Sequence, residues 1–286
     1  MKTSQTPLIN NHPLRFFLTP SHFIGFGSFV LSFLLYFLDV RFASIPLALF
    51  ILLCFLAPFL PKIGFFLPVI RKGKSDTKDV AITFDDGPDP ITTPHVLDLL
   101  SKYDAKATFF VTGKKAEKHP ELIKHIISNG HSIGNHTYTH DPFIMLKSAH
   151  HLRKEIETAQ ETLKKQGIVP LIFRPPVGIT NPKLYKILDM NGLFCVNYNR
   201  RAYDAGNKWV KNLAQKILKH VGPGDIIMLH DTLPVKENEL YVWLNEIENL
   251  LSGIQNKGLS VLPLSDIIGR SVMKLTSVRP EVRYFV

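Results

Sequence analysis

Two cysteines in 286 residues are too few for a disulfide framework, and Cys54 falls in an apolar run while Cys195 sits in a stretch that reads as a buried strand. They leave the compartment open. No internal repeat, no low-complexity segment and no nucleic-acid module can be recognised, so the formal charge of +10 calls for another kind of partner. Lys and Arg flanking a membrane gain free energy beside anionic lipid headgroups, which supplies one.

Charge is itself missing from two long stretches. No Asp, Glu, Lys or Arg occurs from Phe16 to Leu38 or from Phe42 to Pro61, so each run is long enough to cross a hydrocarbon core of about 30 Å as a helix. A cleaved signal peptide would have a short apolar core and a small-residue cleavage site, whereas these runs are long, rich in Phe and Leu, and separated only by Asp39, Val40 and Arg41. The pattern predicts a transmembrane hairpin over about 16–38 and 42–61. The alternative is a single anchor with the second run along the membrane surface, because Pro46, Pro58, Pro61 and Pro68 make that run less regular. The sequence thus divides into an anchor and basic linker (1–75), a main domain (76–270) and a tail (271–286). The residues after Arg270 carry no recognisable chemistry.

A hairpin returns the chain to the side where it started. Lys2 and Arg15 precede the spans, Lys62, Arg71, Lys72, Lys74 and Lys78 follow them, and the turn has Arg41 alone beside Asp39. By the positive-inside rule this bias puts both termini on the cytoplasmic side of the cell membrane, and a single crossing would reverse it.

Beyond the linker, short apolar strands alternate with amphipathic helices. Strands are expected at Val80–Phe84, Thr108–Val111, Ile172–Phe173, Leu193–Asn197, Ile226–Leu229 and Ser260–Leu262. Helices are expected at Thr92–Tyr103, Pro120–Asn129, Ala149–Gln166, Pro182–Asn191, near Val210–His220 and at Leu240–Gln255. This alternation argues for an α/β domain with a mostly parallel sheet or barrel, and such folds gather functional groups at the carboxyl ends of their strands.

The unusual polar clusters fall at those ends. Asp85 and Asp86 follow the first strand; adjacent carboxylates repel unless a cation offsets them, although with Gly87 and Pro88 they also read as an acidic turn. His136 and His140 stand four apart, a spacing that places two imidazoles on one face of a helical turn, and two histidines with one carboxylate form a common catalytic zinc set. With 12 histidines in the chain an accidental pair is unremarkable. His119, His125 and His131 read as surface or packing residues, and His150 and His151 as a solvated helix face. Arg174 ends a strand before the rigid Pro175-Pro176-Val177-Gly178 loop, suited to a cation that orients a carboxylate. His230 ends a very apolar strand, where a lone histidine is more often structural.

Together these clusters carry a resemblance. Val80 to about Asp266 is similar to the polysaccharide deacetylase family that shares the NodB homology domain, also called carbohydrate esterase family 4. Thr83-Phe84-Asp85-Asp86-Gly87-Pro88 matches its first motif, His136 to His140 its second, Arg174 to Gly178 its third and Leu229-His230 its fifth; Ala107-Thr108-Phe109-Phe110 and Gly130 to Asn135 fit between them. The resemblance implies a distorted (β/α) barrel of the NodB type, preceded here by the α-helical hairpin. It implies a metal held by Asp86, His136 and His140, Asp85 as base, His230 as acid, and Arg174 holding Asp85 aligned. Zinc is the expected metal, although this donor set suits cobalt and iron as well. The implied reaction is removal of an N-acetyl or other N-acyl group from an amino sugar of a polysaccharide, peptidoglycan or lipid-linked glycan.

The fourth motif departs from the family pattern. Arg201 and Ala205 stand where an Asp and a Trp are expected, leaving Asp204 to orient His230, and Val177 replaces a more usual aromatic. These changes bear on the wall that would receive acetyl and sugar. They leave a different class open: an inactive, metal-holding glycan-binding or scaffold protein at the membrane. Family habit also places such domains outside the cytoplasm, against the charge bias.

Overall fold

The computed structural model describes residues 18–59, 64–74, 76 and 78–276. Phe16, Pro61, the charges at Lys2, Arg15 and Lys62, and the tail beyond residue 276 lie outside the described residues.

Helix α1 (Pro20–Leu38) begins where Pro20 can occupy the first turn without losing a hydrogen bond, and ends at Asp39, whose carboxylate accepts the N–H of Arg41. The chain then continues as α2 (Val40–Ala43), α3 (Ile45–Leu56) and a short 3-10 turn to Phe59. Pro46 at the start of α3 accounts for the break at Ser44, since its ring removes an N–H from the ladder. Pro20–Leu38 and Val40–Phe59 are each long and apolar enough to cross a membrane. They lie side by side: a Cβ on Gly25 would come within 2.9 Å of the Phe50 ring. Phe26 and Phe37 remain 74% and 70% exposed, an apolar outer surface that lipid would cover. From residue 64 the chain enters the main domain, where Phe65, Phe66 and Leu67 pack with Ile144, Leu152 and Leu184.

The main domain is built on parallel strands: β1 (Val69–Ile70), β2 (Asp79–Asp85), β3 (Thr108–Val111), β4 (Ser132–Asn135), β6 (Ile172–Phe173), β7 (Phe194–Val196), β8 (Arg200–Arg201) and β9 (Ile226–His230). β5 (Ile168–Pro170) lies apart from this sheet. Their order is β1-β7-β6-β4-β3-β2-β9-β8, a curled sheet open between its edges, with β10 (Ser260–Val261) pairing β2 from outside that path. The loop after β7 spans the gap, as Asn197 donates to the Ile70 carbonyl and Asn199 to that of Ile226. Around the sheet run α4 (Thr92–Lys102), α5 (Gly113–Lys118), α6 (Pro120–Ser128), α7 (Ala149–Lys165), α8 (Leu184–Met190), α9 (Leu213–Leu218), α10 (Leu240–Asn256) and α11 (Leu264–Ile268). Both faces of β2 are covered, so it is buried without a break from Val80 to Asp85, and Val80, Ile82 and Phe84 anchor the largest core cluster with Phe109, Trp243 and Leu250.

Two pieces of sheet lie beyond the 76–270 core expected from sequence. β1 pairs with Cys195 and Val196, and β11 (Met273–Leu275) pairs antiparallel with β5. A strand of two or three residues carries no periodicity to read. The helix expected near Val210–His220 is shorter, because Asn212 takes a left-handed conformation just before α9.

Candidate active site

Parallel strands send their carboxyl ends to one rim, and the polar side chains collect there. β2 ends in Asp85, and the chain turns through Asp86, at φ 72°, into Gly87 and Pro88. Gly87 is required, since a Cβ there would lie 2.4 Å from Asp231 Oδ2. Asp231 is itself fully buried and accepts the hydroxyls of Thr92 and Thr93 at 2.7 and 2.6 Å. Burial, only partly offset by those bonds, pushes its carboxyl up to about 6.

His136 follows β4, and His140 lies one loop further on. The expected helical turn is absent: Thr137 and His140 have φ of 65° and 57°, and the segment is irregular. Side chains take most of its backbone N–H groups. Asn135 Oδ1 accepts from Thr137 at 2.9 Å, while Glu155 Oε2 of α7 accepts from Tyr138 N at 3.1 Å, Thr139 N at 2.8 Å and the Thr139 hydroxyl at 3.0 Å. The two imidazoles still meet. His136 Nε2 and His140 Nε2 lie 3.3 and 3.0 Å from Asp86 Oδ1, and the three ligand atoms are within 4.8 Å of one another.

This donor set fits a divalent cation. His136 Nδ1 is 2.8 Å from the Arg174 carbonyl, which selects the tautomer that donates there and leaves the Nε2 lone pair facing Asp86. Asp86 Oδ1 is buried with no donor of its own. Burial, reinforced by His136, pushes His140 below the ordinary imidazole range despite Asp86 and Asp85, and a neutral imidazole is the form that binds metal. Three lone pairs directed at one point repel each other unless a cation joins them.

Arg174, fully buried after β6, reaches the other carboxylate. Its Nη1 donates to Asp85 Oδ1 at 2.6 Å and to Thr83 Oγ1 at 2.7 Å, Nε to the Val196 carbonyl and Nη2 to that of Asn197, and the guanidinium stacks 3.9 Å over Phe110. A buried cation satisfied on every side leaves Asp85 little freedom.

His230 ends β9 as the register partner of Asp85. Its Nδ1 is 2.7 Å from Oδ2 of Asp204, a residue only 1% exposed, so Nε2 is left for the cleft. Burial alone would lower the pKa of His230; the hydrogen bond and charge of Asp204, with Asp86 and Asp85 beyond, outweigh it and push the ring up to about 9. Asn207 secures the same rim through the His230 and Thr232 carbonyls.

Asp85, Asp86, His136, His140, Asp204 and His230 border a cleft of about 370 Å³ whose other walls include Val177, Tyr198, Arg201, Tyr203 and Ala205, with Arg174 packed behind Asp85. Arg201 stacks 4.3 Å over Tyr203 and donates to the Tyr198 hydroxyl at 3.0 Å. Every site residue expected from sequence therefore lies at one rim. Histidine 131, by contrast, is buried packing that accepts from Ala107 N, and burial pushes it down to about 4. Glu155, Asp231, Asn207 and Tyr198 were not legible as site residues. Only Tyr198 and Asp231 carried a signal, a place just past the end of a strand.

A polysaccharide deacetylase family profile matches residues 72–196. A peptidoglycan-N-acetylglucosamine deacetylase of Bacillus cereus is 33% identical over 196 residues, 68% of this chain and 90% of that protein. A chitooligosaccharide deacetylase of Bradyrhizobium is 30% identical, with 71% of this chain and 98% of that protein covered. The crystal structure of a peptidoglycan N-acetylglucosamine deacetylase bound to a naphthalenyl N-hydroxybenzamide superposes with a TM-score of 0.64 at 30% identity, covering 71% of this chain and 94% of that one. Shared motifs, shared barrel and near-complete coverage of such relatives lead to one assignment: this chain belongs to the polysaccharide deacetylase family, hydrolases acting on the amide bonds of N-acetylated sugars.

Proposed function

We propose that the chain is a membrane-anchored, metal-dependent deacetylase that hydrolyses the N-acetyl amide of an amino sugar. The observation that carries this reading is the convergence of Asp86, His136 and His140 in the same cleft as the Asp85–Arg174 and His230–Asp204 pairs.

A divalent cation held by Asp86, His136 and His140, zinc by preference, would polarise the amide carbonyl and acidify water to a pKa of about 7. Asp85, fixed by Arg174, accepts the proton of the attacking water. His230 enters protonated, since Asp204 stabilises the imidazolium, and gives its Nε2 proton to the sugar nitrogen as the amide C–N bond breaks. Acetate and the free amine leave. The loop at Val177 borders the same space, and a backbone N–H there would donate to the carbonyl oxygen as it gains charge.

The relatives named above act on peptidoglycan and chitooligosaccharides, and N-acetylated glycans of that kind are the substrate class. The apolar hairpin would hold the enzyme at its site of action through membrane lipid. The test is acetate release by the purified full chain from chitooligosaccharides, peptidoglycan and lipid-linked N-acetyl sugars. Release from at least one supports the reading. A metal-loaded chain that releases acetate from none of them is instead the inactive glycan-binding protein left open by the altered fourth motif.

A further inference from the structure

A second and larger pocket, about 820 Å³, adjoins the catalytic cleft and shares with it Val177, Tyr198, Arg201 and Tyr203. It lies where the two edges of the sheet approach: Arg71 follows β1, and Arg200 and Arg201 are β8. Lys216, Lys219 and His220 complete a basic lining in which no carboxylate takes part.

Little of that charge is answered. Arg200 is paired with Asp225, which also draws Lys72. Arg71 has a buried Nε without a partner, and neither Lys216 nor Lys219 forms an ion pair with any described residue. Arg201 is engaged by tyrosine faces and one hydroxyl, which leaves most of its donors free. Several cations on one concave wall repel one another and raise the local concentration of anions, and planar guanidiniums match the oxygens of a phosphate two at a time. A neutral glycan would satisfy none of this.

The position selects among anions. Pro58 and Phe59, the last described residues of the second apolar helix, also line the pocket. If that helix spans the bilayer, the pocket opens at the depth where lipid phosphates lie.

We propose that this basic pocket binds the phosphate of a lipid-linked amino sugar, placing the N-acyl group of the same molecule in the adjoining catalytic cleft. The proposal rests on the deacetylase reading above and narrows its substrate from N-acetylated glycans in general to one carrying an anionic linkage at the membrane.

The full chain in vesicles of neutral phosphatidylcholine is the system for the test, with Lys216→Gln/Lys219→Gln and Arg71→Gln as variants outside the catalytic groups. Polyprenyl-phosphate-linked N-acetylglucosamine is compared with uncharged chitotriose. Losing the one cation of Arg71→Gln, or the two of the lysine pair, is expected to lower kcat/KM on the phosphorylated substrate by about ten-fold or more, with turnover of chitotriose unchanged. Equal losses on both substrates, or a wild type that favours chitotriose, overturn the proposal. A soluble nucleoside diphosphate N-acetylglucosamine turned over better than the lipid-linked sugar overturns the lipid linkage. If nothing is deacetylated, the deacetylase reading fails separately, and titration with N-acetylglucosamine 1-phosphate decides the pocket: binding weakened about ten-fold in the variants upholds it, and unchanged binding overturns it.

Discussion

Asp85 and His230 are register partners at the carboxyl ends of β2 and β9, each held by an ion of opposite sign. Arg174 fixes the carboxylate at 2.6 Å, and Asp204 fixes the imidazole at 2.7 Å. Base and acid are therefore set side by side by sheet hydrogen bonds, with Arg174 orienting the carboxylate and Asp204 stabilising the imidazolium. Asp85→Asn, which keeps size and removes the basic oxygen, is predicted to lower kcat by about 10²–10⁴-fold. Elemental analysis should find its metal content unchanged; a variant with wild-type turnover would remove Asp85 from the reaction.

The His230–Asp204 pair gives activity and stability the same pH sign. The folded pKa of His230 is raised from the ordinary 6.5 to about 9, so the pair's stabilisation is fully present below the unfolded value and is lost as pH rises through the folded one. Activity on a neutral substrate should fall over the same alkaline window, because the donating proton goes with it. In Asp204→Asn both the alkaline limb of the rate profile and the alkaline loss of thermal stability should shift to lower pH. Profiles identical to wild type would contradict the role given to Asp204.

Glu155 is a positioning residue for the metal set, because its one oxygen holds Tyr138 and Thr139 between the two histidines. Glu155→Gln is predicted to weaken metal binding about 10–100-fold, the usual scale for the supports behind metal ligands. Competition against a calibrated chelator measures this directly. Unchanged affinity in a folded variant would show that the loop holds itself.

Arg174→Met leaves Asp85 buried without its cation and several backbone carbonyls without a donor. Breaking one side of a buried pair is predicted to destabilise the fold by about 3–5 kcal/mol. Denaturant unfolding of the detergent-solubilised chain reads this, and a loss below about 1 kcal/mol would mean that water replaces the guanidinium.

The positive residues around the hairpin predict an inward-facing catalytic domain. A reporter fused after Val286 that works only outside the cytoplasm should then be silent. Its activity would overturn the inward placement and favour the outward one usual in the family.

What the sequence disclosed, and what it hid, divide along physical lines. Asp85, Asp86, Arg174 and His230 were legible because each closes an apolar strand, and strand ends face the site in parallel sheets. The His136–His140 spacing named the right residues for the wrong local reason: a helical face was expected, and Glu155, 15 residues further along the chain, instead holds an irregular loop. Asp231 and Asn207 stayed hidden because their partners, Thr92 and Thr93 in one case and the rim carbonyls in the other, are fixed only by tertiary packing. β1 and β11 are too short to show a pattern, and the basic pocket draws its lysines and arginines from three separate stretches of chain.

The account depends most on one cation shared by Asp86, His136 and His140. The direct measurement is metal content and acetate release on the same preparation of full chain, before chelation, after it, and after zinc is restored. One equivalent of metal that disappears with activity and returns with it is the predicted result, with His140→Ala unable to recover either. Acetate release that continues from metal-free protein would contradict it.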